Sequence, residues 1–386
     1  MLKSITGYGT TTTASNYYFI STPLTSSTNP QNVLNMINTN GYDLYYFDQN
    51  PSDQLEWRNY KAGNGFYLFV GSGYLYANSE SVDLEFAGNL RKSLAEETYN
   101  KGITYEGTQN FAGWNLVGNP FTTNAIVNKP FYVLNSDADG IQTTPVAENS
   151  IIAPMEGVFV LAAEGETDQK VTFTATTEAV SSQGSKGIVL EVNRNNKMLD
   201  RAIVDINQGG MLGKLRLNEG VTELYIPQGD KDYAIVCSTS EGEMPVSFRA
   251  AENGTYTLNF SAENTEMRYM HLIDNMTGND IDLLQTPSYS FEAKTTDYAN
   301  RFRIVFNANN GVDEMNEDTF AFFNGNEWVI NSEGEATLQV IDMMGRVVSS
   351  QRINGNANVN INEAKGVYVI RLIQNDLVKT QKIVKE

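Results

Sequence analysis

The chain contains one cysteine, Cys237, and one histidine, His271. An internal disulfide is therefore excluded, as are zinc sites built from Cys and His. Serine- or cysteine-centred triads would have to run through His271. It sits in the apolar run Tyr269-Met270-His271-Leu272-Ile273 and reads as a structural strand residue. Cys237, closing Ala234-Ile235-Val236-Cys237, reads as a small buried hydrophobe. No apolar run is long enough to cross a membrane as a helix. A signal-peptide pattern is also missing, because Met1-Leu2-Lys3-Ser4-Ile5 leads into a Thr-rich polar segment. The chain accordingly reads as a mature or truncated form. Charge is sparse, at 19% of residues, and one-sided, with 27 basic against 46 acidic residues for a net −19. Such a chain repels phosphate backbones and anionic lipid, which argues against nucleic acid as a partner. A phosphate loop, a nucleophile elbow and a His-Glu-x-x-His pattern are all missing. Paired carboxylates for glycoside chemistry occur in no recognisable motif. The expectation is a non-enzyme with no cofactor.

What remains is strand material. Twenty Tyr and eighteen Phe accompany many Asn, Thr, Ser and Gly, the composition of pleated surfaces joined by turns. Short runs of Val, Ile, Thr, Tyr and Phe punctuated by Gly, Asn and Asp predict an all-β chain. Only residues 30–38, with Pro30 leading and apolar residues at three-to-four spacing, predict a short helix.

The first part of the chain reads as one unit written twice. Tyr17-Tyr18-Phe19-Ile20-Ser21-Thr22-Pro23 aligns with Trp114-Asn115-Leu116-Val117-Gly118-Asn119-Pro120. Each copy continues with an aromatic strand (Asp43–Phe47; Pro130–Leu134), a Gly-led strand (Gly73–Ala77; Gly157–Leu161) and an alternating strand (Val82–Phe86; Val171–Thr174). This predicts tandem β units over residues 1–110 and 111–183. Alternating strands at regular spacing then predict an antiparallel sandwich over 187–308, after a linker at Ser181–Gly187. A polar break precedes a last small domain over 319–386.

Two sets of residues are candidates for binding. Trp57, Tyr60, Tyr74 and Tyr76 lie in an aromatic-rich stretch of the first unit and could offer flat faces with polar tips to protein or glycan. Trp57 stands on an insert without a visible counterpart in the second unit. Asn135, Asp137 and Asp139, followed by Gly140, match the first half of an oxygen-rich calcium loop. The acidic residue that closes such a loop would fall on Val146, so a hairpin turn is the simpler expectation.

The C-terminal end carries a recognisable pattern. A strand ends in Asp342-Met343-Met344-Gly345-Arg346, a second opens Gly366-Val367-Tyr368, and the chain closes on Lys382-Ile383-Val384-Lys385. Together these resemble the C-terminal sorting domain of the type IX (Por) secretion system of Bacteroidetes. The resemblance implies a small immunoglobulin-like sandwich read by the outer-membrane export machinery, with Asp342, Gly345, Arg346, Gly366, Tyr368 and Lys382 as motif positions. Upstream, Trp114–Phe121 with Met155–Val160, and Leu272–Gly278 with Asp282–Leu284, resemble repeat units of surface proteins from the same bacteria, commonly labelled adhesins. The implied protein is extracellular or surface-attached and binds host or matrix protein or glycan. The alternative is a non-catalytic accessory region of a secreted hydrolase such as a protease.

Overall fold

A computed structural model describes all residues except 10–15, 39, 54, 64, 109, 136–140, 181–185, 207–208, 310–319, 324–326, 333, 362–363, 375–376 and 386. The chain is all-β, its described elements being strands and two single-turn 3-10 helices. It divides into two compact units, Met1–Asn309 and Asn310–Glu386.

The tandem repeat is visible in the strand order. In the first repeat the sheet runs Tyr18–Ser21, Gly73–Asn78, Tyr42–Phe47, Trp57–Asn59; in the second it runs Trp114–Gly118, Gly157–Leu161, Phe131–Leu134, Thr143–Val146. The registers agree as well: Tyr45 faces Leu75, as Tyr132 faces Phe159. Behind each sheet lies another layer. Leu2–Ile5 pairs with Val82–Glu85 in the first repeat, and Thr98–Gly102 pairs with Lys170–Thr176 in the second. The second repeat therefore begins with Thr98–Gly102, and the expected break after residue 110 falls inside it. That strand carries no aromatic-Pro signature, so only its partner reveals where it belongs.

The expected helix is absent as well. Pro30–Asn32 makes one 3-10 turn, capped by the Asn29 side chain accepting from Gln31 N. Leu34 then exchanges two backbone hydrogen bonds of 3.1 Å with Glu85. Sheet pairing outweighs the helical spacing here, because the back layer needs an edge partner (Asn124–Val127 fills this place in the second repeat).

The two repeats meet reciprocally. Ile20 bridges Glu156 and its equivalent Val117 bridges Ser72; Ser21 N donates to Met155 O at 3.1 Å and Gly118 N to Gly71 O at 3.0 Å. Each contact is the other with the repeats exchanged, the pattern of a two-fold interface built within one chain.

Residues 187–309 contribute an eleven-stranded sheet. It is antiparallel apart from Lys197–Asp205 against Lys231–Cys237. Strands distant in its order meet in one core: Phe291 lies 5.1 Å from Phe248 and 4.9 Å from Phe302, ring to ring. The sheet thus folds over itself as a sandwich. A further core joins this region to both repeats, with Phe19, Leu75, Trp114, Tyr132 and Phe159 packed among Val189, Ile203, Leu212 and Ile235. The expected divisions at 110/111 and 183/187 therefore do not separate independent bodies. The Ser181–Gly187 linker lies mostly outside the described residues.

The C-terminal unit is a two-layer sandwich. Three short strands (Ala321–Phe323, Trp328–Ile330, Ala357–Val359) form one layer, and the order Val347–Asn354, Glu335–Asp342, Gly366–Gln374, Leu377–Lys385 forms the other. Trp328 and Ile330 meet Leu338, Ile370 and Leu372 in the core between them.

Candidate functional site

The four aromatic candidates in the first repeat have different surroundings. Tyr76 is fully buried, and its hydroxyl donates to Met36 O at 2.9 Å. Tyr74 is buried too, with its hydroxyl accepting from Phe69 N and donating to Tyr67 O. Burial pushes both hydroxyls up to about 12. Neither ring is exposed, because core residues cover both faces of the Gly73–Asn78 strand. Tyr60 is half-buried, edge-on to Phe66, with its hydroxyl 3.4 Å from Asn29 Oδ1. Trp57 packs against Phe19, Phe47 and Phe159 at 5.1–6.5 Å in the core shared with the sandwich. Its strand has a counterpart after all: Trp57 faces Phe47 as Thr143 faces Leu134. Trp57 is thus a packing residue, whose place the pattern of the second copy concealed.

The exposed rings of this region are Tyr67 and Phe69, each 53% accessible. They flank a groove of about 510 Å³ whose walls include Tyr46, Phe66, Ser72 and Tyr74. Phe66 stacks on Tyr74, centroids 5.7 Å apart and planes 5° from parallel, and stands edge-on to Tyr46. The segment carrying the exposed rings is held firmly. Leu68 exchanges backbone hydrogen bonds of 2.8 and 3.0 Å with Thr28. The Tyr74 hydroxyl clips Phe69 N at 2.7 Å and Tyr67 O at 3.0 Å, and Tyr99 Oη donates to Val70 O at 3.2 Å. Burial pulls the Lys101 ammonium below its ordinary value, and Nζ donates to Ser72 Oγ at 2.9 Å.

The second repeat supplies an internal comparison. Leu68 bridges Thr28 as Ile152 pairs with Ala125. This equivalence, with the strand registers, sets Tyr46, Phe66, Tyr67, Phe69 and Tyr74 against Val133, Ser150, Ile151, Ala153 and Val158. Every aromatic of the groove is replaced by a smaller residue, so the fold itself does not require these rings. Phe66 and Phe69 escaped sequence reading because phenylalanine signals core by default. Aligning residues 66–69 with 150–153 would have shown the contrast.

A second cleft, of about 710 Å³, includes Lys214, Arg216 and Arg249. Its cations are already matched: Lys214 by Asp200, Arg216 by Glu223 and Asp232, Arg249 by Glu223. It offers little unspent charge to a ligand. Of the calcium-loop candidates, Asp137 and Asp139 lie outside the described residues. Asn135 is buried, and its amide nitrogen donates to Met198 O at 3.1 Å. His271 stacks on Tyr269 with centroids 4.3 Å apart, and its Nδ1 lies 2.6 Å from Asp280 Oδ1. Cys237 is only half-buried, its thiol donating to Gly209 O.

In the C-terminal unit, motif residues far apart in the chain converge. Asp342 Oδ1 accepts from Met344 N and Arg346 N at 2.9 Å, while Oδ2 accepts from Arg346 Nε at 2.7 Å. The hydrogen bond from Arg346 N, joined by those from the Arg346 side chain and Met344 N, holds the Asp342 carboxyl below the usual carboxylate range. Gly345 closes the turn at φ +81°, a left-handed conformation that glycine adopts without Cβ strain. Asp342 faces Tyr368, and Tyr368 faces Ile383 on the next strand. Tyr368 donates to Ala364 O at 2.7 Å, just before Gly366 opens its strand. Lys382 pairs with Val369 through the backbone, and its side chain is outside the described residues.

Residues 325–386 match the family model of the secretion system C-terminal sorting domain. The C-terminal unit carries a sorting domain. A sorting domain of this type, typical of Bacteroidetes, implies an interaction with the type IX secretion machinery and a secreted or cell-surface location. No helix among the described residues is long and apolar enough to cross a membrane. No curated protein matches the chain. One solved structure, described as a biofilm associated protein, BSP domain, aligns with 99% of this chain and 97% of that one. Its identity is 13% and its TM-score 0.20, a likeness too slight to bear on function.

Proposed function

We propose that the protein is an exported binding protein, an adhesin whose ligand contacts are made by the aromatic groove of the first repeat. The sorting domain accounts for delivery, so the binding role belongs to residues 1–309. The observation that carries this reading is Tyr67 and Phe69, held outward on a hydrogen-bonded segment whose equivalent in the second repeat bears Ile151 and Ala153. Exposed rings on a rigid backbone provide contact area at little entropic cost, which is how binding hot spots are built. A binding role rather than a catalytic one is supported by His271, whose ring is engaged with Asp280 and Tyr269. The test is adhesion of the full chain to host-cell and matrix-coated surfaces. Tyr67→Ala with Phe69→Ala should lower adhesion at least tenfold, whereas Tyr298→Ala, at another exposed ring, should leave it intact. Undiminished adhesion by the double variant would rule out the groove.

A further inference from the structure

Resting on that reading of the groove, we infer that its ligand is a neutral polysaccharide, bound by stacking of pyranose rings on Tyr67 and Phe69. Three features of the groove point to this class.

The first is charge. None of the side chains lining the groove is ionisable at neutral pH, although the chain carries 46 acidic and 27 basic residues, and the Lys101 ammonium beside the wall donates to Ser72 Oγ at 2.9 Å. A site for an acidic glycan or a charged peptide would present compensating charge, because desolvating an unpaired ion is costly. A neutral sugar requires none.

The second is the backbone. A peptide added to an edge of the fold would need free N–H and C=O groups in register. On residues 67–72 many of these groups are already used: Tyr67 O and Phe69 N by the Tyr74 hydroxyl, Leu68 by Thr28, Val70 O by Tyr99, Gly71 O by Gly118 N, and Ser72 N by Phe69 O at 3.1 Å. What this segment presents is therefore its side chains.

The third is the mixture of faces and tips. Tyr67 and Phe69 stand two residues apart on either side of the buried Leu68, so their rings emerge on the same side. The hydroxyls of Tyr46 and Tyr67 bring hydrogen-bonding groups to the same walls, where Ser72 Oγ already accepts from Lys101 Nζ. Apolar C–H faces ringed by hydroxyls are the chemistry of a pyranose, and a mostly aromatic site with a few polar groups suits such a ligand. The volume, about 510 Å³, accommodates a short stretch of chain.

The inference is tested by native affinity electrophoresis of the full chain through gels containing neutral glucan, mannan or xylan, with polygalacturonate as the acidic counterpart. Retardation is expected in at least one neutral gel and not in polygalacturonate. Tyr67→Ala and Phe69→Ala should each weaken it at least tenfold, and Tyr298→Ala should not. Both target rings are exposed, so circular dichroism should be unchanged. The inference is overturned by migration unaffected in every neutral gel, by retardation in polygalacturonate alone, or by retardation that survives both substitutions. The adhesion assay separates this failure from failure of the groove itself. Adhesion that depends on Tyr67 and Phe69 without polysaccharide retardation removes the glycan and keeps the groove; adhesion indifferent to both residues removes the groove.

Discussion

Gly118 and Ser21 occupy equivalent positions in the two repeats and touch one another: a Cβ placed on Gly118 would lie 2.3 Å from Cβ of Ser21. The Ser21 hydroxyl uses the room, donating to Asn119 O at 2.7 Å. Only one of the two positions can carry a side chain. Gly118→Ser should therefore destabilise the protein by about 1–3 kcal/mol through overpacking. The swap Gly118→Ser with Ser21→Gly moves the hydroxyl across the pseudo-two-fold and should recover most of that loss. Urea unfolding of the four proteins in a double-mutant cycle checks this. A swap as unstable as Gly118→Ser alone would contradict the symmetric contact.

Asp274 and Arg301 form a buried pair, 0% and 2% accessible in their side chains. Arg301 Nε and one terminal nitrogen reach the two carboxylate oxygens at 3.0 and 2.8 Å, and Tyr289 and Met276 N also donate to Asp274. Phe291 and Phe302 flank the guanidinium at 4.5 and 5.1 Å. Arg301→Met should cost about 3–5 kcal/mol, because it strands a buried carboxylate. The pH dependence should reverse as well. Burial opposes ionisation of Asp274, yet the hydrogen bonds from Arg301, Met276 N and Tyr289 outweigh it and lower its value. Its contribution is thus full above the ordinary value near pH 4 and is lost as pH falls through the folded value. Without Arg301 the folded value is raised, so the same carboxyl should favour folding as pH falls. Urea midpoints between neutral and acidic pH, compared for the two proteins, give the sign directly.

In the sorting domain, Asp342 organises the turn that Gly345 closes. Asp342→Ala removes the acceptor for Met344 N, Arg346 N and Arg346 Nε together. Gly345→Ala forces a side chain into φ +81°, a strain of about 1 kcal/mol. Both variants should reduce the fraction of protein delivered outside the cell, with Asp342→Ala the more severe. The thermal transition of residues 1–309 within the full chain should not move. Normal delivery of Asp342→Ala would show that this turn is not read.

Much of this organisation is legible in the sequence. The aromatic-Pro signature and Gly-led strands announce the repeat, and the spaced Asp342–Arg346 and Gly366–Tyr368 motifs announce the sorting domain. The candidate rings were harder to place. Period-two alternation states that a strand has two faces, without stating what lies against each. In Gly73–Asn78 both are covered, Tyr74 and Tyr76 by the core of the first repeat and Leu75 by the core shared with the sandwich. Alternation therefore suggested an outer face where none exists.

By itself the sequence determined the all-β class, the exclusion of an internal disulfide and of zinc sites built from Cys and His, the acidity, and the export signal. These depend on composition or on residues close together in the chain. The tertiary structure decided which rings are available, where the second repeat begins, and that Asp342, Tyr368 and Ile383 form one row across three strands. Each of these depends on pairings between distant strands, whose registers are set by cores that assemble only when the sheets come together.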